Sequence, residues 1–223
     1  MTDSLSNCKL CLSAKADETG SHMLTAWIIA SVFDEKGRKR DNEIIYNLDD
    51  QFFRFPYFGR SVSLDKINEN IGRELSDSEI GSQKNIFIED HVFCGNCEKR
   101  LKTIEDAFLE KVHRKLTKEK FETQDIISIE KKLITRVFFY SLIWRASISE
   151  SIDFKLPQAL ENKLRVILND TLELTLEETV ENLEKHSFVI LSLPMIVVKL
   201  EKTEYPTEMP VLFHTKYKKP LAL

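Results

Sequence analysis

His91-Val92-Phe93-Cys94-Gly95-Asn96-Cys97-Glu98-Lys99-Arg100-Leu101 is the stretch on which the fold turns. Cys94 and Cys97 are separated by Gly95-Asn96, a pair suited to a tight turn. A helical repeat follows directly: Leu101, Ile104, Phe108, Val112 and Leu116 recur every three or four residues, with no Gly or Pro among them. A second C-x-x-C, Cys8-Lys9-Leu10-Cys11, stands near the N-terminus, and the chain has 4 Cys in all. A two-residue spacer lets both thiolates of a knuckle point at one ion, and two knuckles complete a tetrahedral S4 shell that suits zinc. With four sulfur ligands the ion has no open position for water, so a structural Zn2+ is expected. The alternative is four unrelated buried cysteines, but chance seldom puts every cysteine of a chain into two such pairs.

Working outward, a knuckle, a β-hairpin and a second knuckle that opens a helix form the arrangement of a treble clef. The fold class expected is α+β: a zinc-bound treble clef or ββα-metal-like N-terminal domain, with a mainly helical C-terminal domain. The first domain is placed at 1–120 with an insertion at 34–84, and the second at 121–223 with a C-terminal strand segment and tail. Ser21 reads as an N-cap for a short helix from Met23 to Val32. Ile44–Leu48 and Gln51–Phe55 read as strands, the second ended by Pro56 and Gly59. Ser63 can cap a helix carrying Ile67, Ile71 and Leu75; Ser76–Lys84 is polar and turn-like, and Asn85–Phe93 reads as a strand. A long helix is expected from about Asp125 to Ile148, apolar on nearly all sides between Val137 and Trp144. Pro157 opens another helix, Thr171–His186 reads as a further one, Phe188–Leu200 as a strand bent at Pro194, and a tail begins at Glu204.

Composition sets the class. The 223 residues are 42% hydrophobic and 30% charged, which allows a sizeable core and excludes overall disorder. Residues 1–120 carry 19 Lys+Arg against 21 Asp+Glu, and 121–223 carry 13 against 15, so each part is about −2 of the total −4. Bulk electrostatic coating of nucleic acid is thereby excluded, although a local basic face is not. Met1–Asn7 has no positive n-region and no apolar h-region, and the apolar runs Val137–Trp144 and Phe188–Val198 are too short to span a bilayer as helices. A cytoplasmic location with no membrane association is expected, where metal ligation is the usual use of four such cysteines.

His22 follows Cys11 by eleven residues, in Gly20-Ser21-His22-Met23-Leu24-Thr25. The order of knuckle, Ser-His, knuckle and helix resembles the HNH-type endonucleases built on a zinc-stapled ββα-metal fold, over roughly residues 8–33 and 88–110. Within that family it is similar to a divergent bacterial branch with Ser-His, Cys-Glu after the second knuckle, and an aromatic-rich helix ending in Trp-Arg, here Trp144-Arg145. The resemblance implies that His22 is the general base, activating a water for in-line attack on a phosphodiester. It also implies a catalytic Mg2+ or Mn2+ held near the second knuckle. This chain has Thr25 where the family has Pro, and Glu98 where it has Asn or His. Glu98 can ligate such an ion, and Glu105, two helical turns on, shares its face. Nucleic acid, DNA first, is the implied substrate. An ATPase or sensor subunit in restriction or phage defence is the implied partner.

Each of these residues also has a plainer reading. His22 can be a structural residue, Glu98 and Lys102 an ordinary i,i+4 pair, and Glu105 a solvated carboxylate. His91 can hydrogen-bond a thiolate or face outward from a strand. Lys99, Arg100 and Lys102 are the candidate phosphate contacts, or else a solvated helix face diluted by Glu105 and Asp106. Gln51–Arg60 mixes Phe with Arg, which suits base stacking, core or a protein interface. Two functional readings therefore stand: a metal-dependent nuclease, and a non-enzymatic zinc module that binds protein or nucleic acid.

Overall fold

The apolar repeat behind the second cysteine pair folds as a helix, Gly95–Phe108. The computed structural model describes residues 5–33, 44–45, 57–58, 62–76, 78–79, 85, 87–114 and 129–193. In chain order the elements are β1 (Ser21–His22), α1 (Ala26–Phe33), β2 (Ile44–Ile45), β3 (Tyr57–Phe58), α2 (Leu64–Ile71), β4 (Ile88–Glu89), α3 (Gly95–Phe108), α4 (Ile129–Ile148), α5 (Gln158–Thr171), α6 (Leu176–Lys185) and α7 (Ser187–Ser192). A π-helical turn, Leu109–His113, continues α3. Two two-stranded sheets, β1 with β4 and β2 with β3, make this a mostly helical α+β chain. Among the described residues no helix is long and apolar enough to cross a membrane.

The contacts divide the chain into two compact units, Met1–Met23 with Glu89–Lys199, and Leu24–Ile88 with Leu200–Leu223. The domain boundary expected between residues 120 and 121 lies outside the described residues, and the first unit draws on segments from both sides of it. In that unit α4 is the central element. Within the all-round apolar stretch Val137–Trp144, Val137, Phe138, Tyr140, Leu142 and Trp144 are buried and Ile143 is exposed; Leu133 and Ile134 before it are buried too. Phe138 stacks on Phe108 of α3 with centroids 4.0 Å apart and planes 4° apart, and Phe139 meets both rings edge-on. Tyr140 on α4 donates its hydroxyl to the Ile190 carbonyl at 2.9 Å, and Arg136 donates to the Leu193 carbonyl at 2.6 Å. Those bonds hold α7 in place.

In the second unit, Ser63 caps α2 as its sequence indicated: its hydroxyl accepts from the Lys66 N–H. Gly72 closes the helix at φ 75, in the left-handed region that glycine reaches without steric penalty. Ile67 and Val62 form a small core there with Ile71 and Leu75.

Three expectations are corrected. Ser21 is not an N-cap but a strand residue; α1 starts at Ala26, where the Thr25 carbonyl accepts from Ile28 and Ile29. The turn at Gly20, φ 75, whose N–H bonds Asp90 Oδ1 at 2.7 Å, commits the chain to pairing with β4 instead. The strand at Asn85–Phe93 is confined to Ile88–Glu89 among the described residues, because His91 sits at φ 59 and cannot extend it. Phe188–Ser192 is helical and not a strand: Ile190 is fully buried in this conformation, so tertiary packing overrides β propensity. Gln51–Phe55, the 115–128 region and everything after Leu193 lie outside the described residues.

If the aromatic stack is the keystone of the first unit, Phe138→Ala should lower unfolding free energy by about 3–5 kcal/mol. Urea denaturation followed by circular dichroism measures this, and a loss under about 1 kcal/mol would mean the stack is peripheral.

Candidate metal centre

Both cysteine knuckles are shaped by main-chain hydrogen bonds. In the first, the Leu12 N–H bonds the Cys8 carbonyl at 2.9 Å and the Cys8 N–H bonds the Ala14 carbonyl at 2.8 Å. That closure leaves Leu12 at φ 61, a left-handed conformation uncommon for a leucine. In the second, the Cys94 carbonyl accepts from the Glu98 N–H at 3.0 Å, so the knuckle and the first turn of α3 are one structure. The knuckles are knitted to each other. Lys9 N–H bonds the Val92 carbonyl at 3.0 Å, Glu18 N–H bonds the Phe93 carbonyl at 3.1 Å, and Asp17 Oδ1 accepts from the Gly95 N–H at 3.2 Å.

This brings Cys8, Cys11, Cys94 and Cys97 together with their sulfurs all within 4.8 Å of one another. Cys8, Cys94 and Cys97 are buried, Cys11 partly so, and none is in a disulfide. A tetrahedral shell with bonds of about 2.3 Å puts sulfurs about 3.8 Å apart, so closing on an ion needs a contraction of about 1 Å at most. The four cysteines can hold a metal ion such as zinc.

Burial and mutual hydrogen bonds divide ionisation unevenly among the thiols. A hydrogen bond from the Cys97 thiol holds Cys8 down to about 4 against the effect of burial. The same contact with Cys8, added to burial, pushes Cys97 up. Burial also raises Cys94. Four thiols this close cannot all ionise unless a cation sits between them. Arg100 stands behind the sulfurs: Nη1 lies 3.8 Å from Cys97 Sγ, Nε donates to the Leu172 carbonyl at 2.6 Å, and Nη2 donates to the Asn169 carbonyl. The guanidinium thus ties the second knuckle to the end of α5, and it does not face solvent as a free phosphate contact.

Beside the knuckles lies a charged cluster. Arg145 of α4 is 2% exposed, and Nη1 donates to the His22 carbonyl at 2.8 Å. Nη2 forms an ion pair with Glu105 Oε1. Glu105 is therefore paired and not solvated. Burial pushes its carboxyl up, and the Arg145 charge pulls it back. Burial likewise raises Glu98, opposed by the neighbouring Ser21 hydroxyl and by Arg145, and reinforced by Glu105 and Glu18. Glu98 Oε2 and Ser21 Oγ are both buried, and neither completes a hydrogen bond of ordinary geometry among the described residues.

His22 is half-buried on β1, its backbone in the cluster through Arg145. Among the described residues the four cysteines are the group of His, Cys, Asp and Glu side chains close enough to hold an ion; His22, Glu98 and Glu105 do not form a second one. Lys102 pairs with Asp106 at 3.0 Å, not with Glu98, and Lys99 is exposed. His91 is exposed, with Nδ1 3.2 Å from the Ala16 carbonyl. Of Gln51–Arg60, only Tyr57–Phe58 is described. Sequence reading took Ser21 as an N-cap and part of the Ser-His motif and Arg145 as part of the Trp-Arg resemblance, and foresaw neither in a charged cluster. An arginine at the end of an apolar helical run was the available signal, since such a charge needs a buried partner.

Replacing Cys94 with Ser should reduce bound zinc below one per chain and lower the melting temperature, because zinc binding here is largely folding energy. Zinc assay beside thermal denaturation tests this; unchanged metal and melting would mean that the four cysteines are not ligands. Arg145→Ala should cost about 3–5 kcal/mol by leaving Glu105 buried and unpaired, and adding Glu105→Ala should recover part of that loss. Additive losses in the double-mutant cycle would mean that the pair is not coupled.

No protein-family model, curated protein or solved structure matches this chain, and its function is read from the cysteine cluster and the charged cluster beside it.

Proposed function

We propose that the chain is a divergent HNH-type nuclease: a metal-dependent phosphodiester hydrolase stapled by zinc at Cys8, Cys11, Cys94 and Cys97 in a treble clef. The observation that carries this reading is Glu98. Its Oε2 is buried beside the Ser21 hydroxyl and completes no hydrogen bond of ordinary geometry among the described residues, in the first turn of the helix opened by the second knuckle. A buried carboxylate oxygen without a full hydrogen bond is unfavourable as a charge, and protonation or a bound cation relieves it. Mg2+ or Mn2+ fits, since such ions are held by one or two carboxylates together with waters and substrate phosphates. When bound, the ion supplies neutralisation of charge on the phosphate and the leaving oxygen. His22 takes the proton from the attacking water. Glu105 and Arg145 serve this site from behind: the guanidinium holds the His22 carbonyl, and Glu105 holds the guanidinium. Of the three residues first considered for phosphate contact, Lys99 is the one whose side chain is exposed without an ion pair among the described residues.

A second reading has its own observation. Side chains alternate along a strand, and on β1 it is Ser21 that neighbours Glu98. His22 then faces the other way, and the chain acts as a zinc-built module that binds protein or nucleic acid without cutting it.

Plasmid and single-strand cleavage with Mg2+ or Mn2+ separates the two. On the first reading His22→Ala and Glu98→Ala should each lower the rate by at least about 100-fold at unchanged zinc content. Cutting that survives excess EDTA, or equal rates in His22→Ala and wild type, would sink it. An intact substrate with the wild-type protein, together with measurable binding, would favour the second.

A further inference from the structure

Phe188, on α7, is 85% exposed, more than any other large apolar side chain among the described residues. Its neighbours share that exposure on one side only. Ile190 is fully buried and anchors the helix, while Val189 and Leu191 are 42% and 39% exposed. Helical geometry puts Phe188 and Ser192 at the middle of the outer face, with Leu191 and Val189 on its flanks. Ser192 does not make that face polar, because its hydroxyl donates to the Val189 carbonyl at 2.7 Å. The strip is also held in place from beneath. Tyr140 and Arg136 bond the Ile190 and Leu193 carbonyls, and His186 Nδ1 lies 2.9 Å from the Asn182 carbonyl at the joint with α6. Single apolar side chains scattered on a surface need no explanation. Three on one short, pinned helix mark a face that something covers.

The charges at the two ends of the strip indicate what covers it. At its N-terminal end α7 continues from α6, whose last turns expose Glu181 and Glu184. Glu181 is paired with Lys185 at 2.7 Å. Glu184, four positions before Phe188, has no ion-pair partner among the described residues. At its C-terminal end α7 rests on Arg136 of α4, and Lys132 lies one turn further along the same stripe of that helix. Lys132 is exposed and likewise without an ion pair among the described residues.

The surface is thus apolar in the middle, negative at one end and positive at the other. Turned end for end, it is complementary to itself: apolar middles coincide and opposite charges meet. We propose that α7 is the centre of a two-fold interface between two copies of this chain. Phe188 packs against α7 of the partner copy, and Glu184 of each copy faces Lys132 of the other. A partner of different sequence would need no such self-complementarity, which is why a second copy is the occupant favoured. The interface uses none of the four cysteines, His22 or Glu98, so it stands or falls separately from the hydrolytic reading.

Sedimentation velocity of the full zinc-loaded chain, over a concentration series up to about 100 μM, tests this. A monomer–dimer equilibrium is expected, and Phe188→Ser should raise its dissociation constant about tenfold or more. That side chain is exposed, so the variant should keep wild-type circular dichroism and zinc content. Lys132→Glu and Glu184→Lys should each weaken the dimer about threefold or more. The double variant, with both ends reversed, should return toward wild-type affinity. A chain that stays monomeric throughout overturns the inference, and leaves the residues after Leu193 or another protein to cover α7. A dimer that Phe188→Ser leaves intact overturns it too, since the interface then lies elsewhere. Losses that add in the double variant overturn the two-fold pairing of Glu184 with Lys132.

Discussion

Four thiolates with sulfurs within 4.8 Å of one another would repel until a cation joined them. Two of them come from the first dozen residues and two from positions 94 and 97, with 82 residues between Cys11 and Cys94. Bringing those ends together carries a loop-closure cost that grows only slowly with length, so a long insertion is tolerated once the ion supplies the closing energy. What the closure fixes is considerable. The Lys9–Val92 and Glu18–Phe93 hydrogen bonds place the N-terminal segment alongside the second knuckle, and the Cys94 carbonyl starts α3. Glu98 and Glu105 take their positions from that helix, and Ser21 and His22 lie on the segment laid beside it.

Arg145 imposes the second constraint. A guanidinium 2% exposed requires a carboxylate and carbonyls around it, and it finds Glu105, the His22 carbonyl and the Ser141 carbonyl. Three separate stretches of chain must therefore meet at one point. A hydrophobic side chain of the same volume would stabilise the core at least as well, since burying an ion pair seldom gains net stability. Retaining the charge makes sense where position matters more than stability, and the position it determines is that of β1.

Much of this was legible in the sequence. Paired cysteine spacing identified the four cysteines that come together, the three- and four-residue apolar repeats identified α3 and α4, and Pro157 marked the start of α5, because knuckle spacing, helical periodicity and helix-opening signals are local properties. Ser63 was read as a cap and is one, for the same reason. What escaped depended on distant partners. Ser21 looked like a cap because nothing within its own segment announces β4. Arg100 looked like a phosphate contact because the carbonyls it bonds, Asn169 and Leu172, are about seventy positions away. The helix at Ser187–Ser192 was read as a strand because β-branched composition cannot register that Tyr140 and Arg136 hold its carbonyl end. Glu105 was read as a metal ligand or a solvated charge; its pairing with Arg145 needed α4 to be in place.

The distribution of cations bears on how such a chain would engage a polyanion. Affinity for nucleic acid scales with the number of phosphates neutralised, and each contact needs a cation that is exposed and uncommitted. On α3, Arg100 is occupied by carbonyls and Cys97, and Lys102 by Asp106, leaving Lys99. Lys9 and Arg165 at the knuckle add a second small group. With a formal charge of −4 over the whole chain, nucleic-acid binding on the proposed reading would be locally guided and not a broad electrostatic grip. On the proposed reading, specificity would come from the fit of substrate against walls that ion-pinned knuckles would hold more rigidly than mobile lysines can.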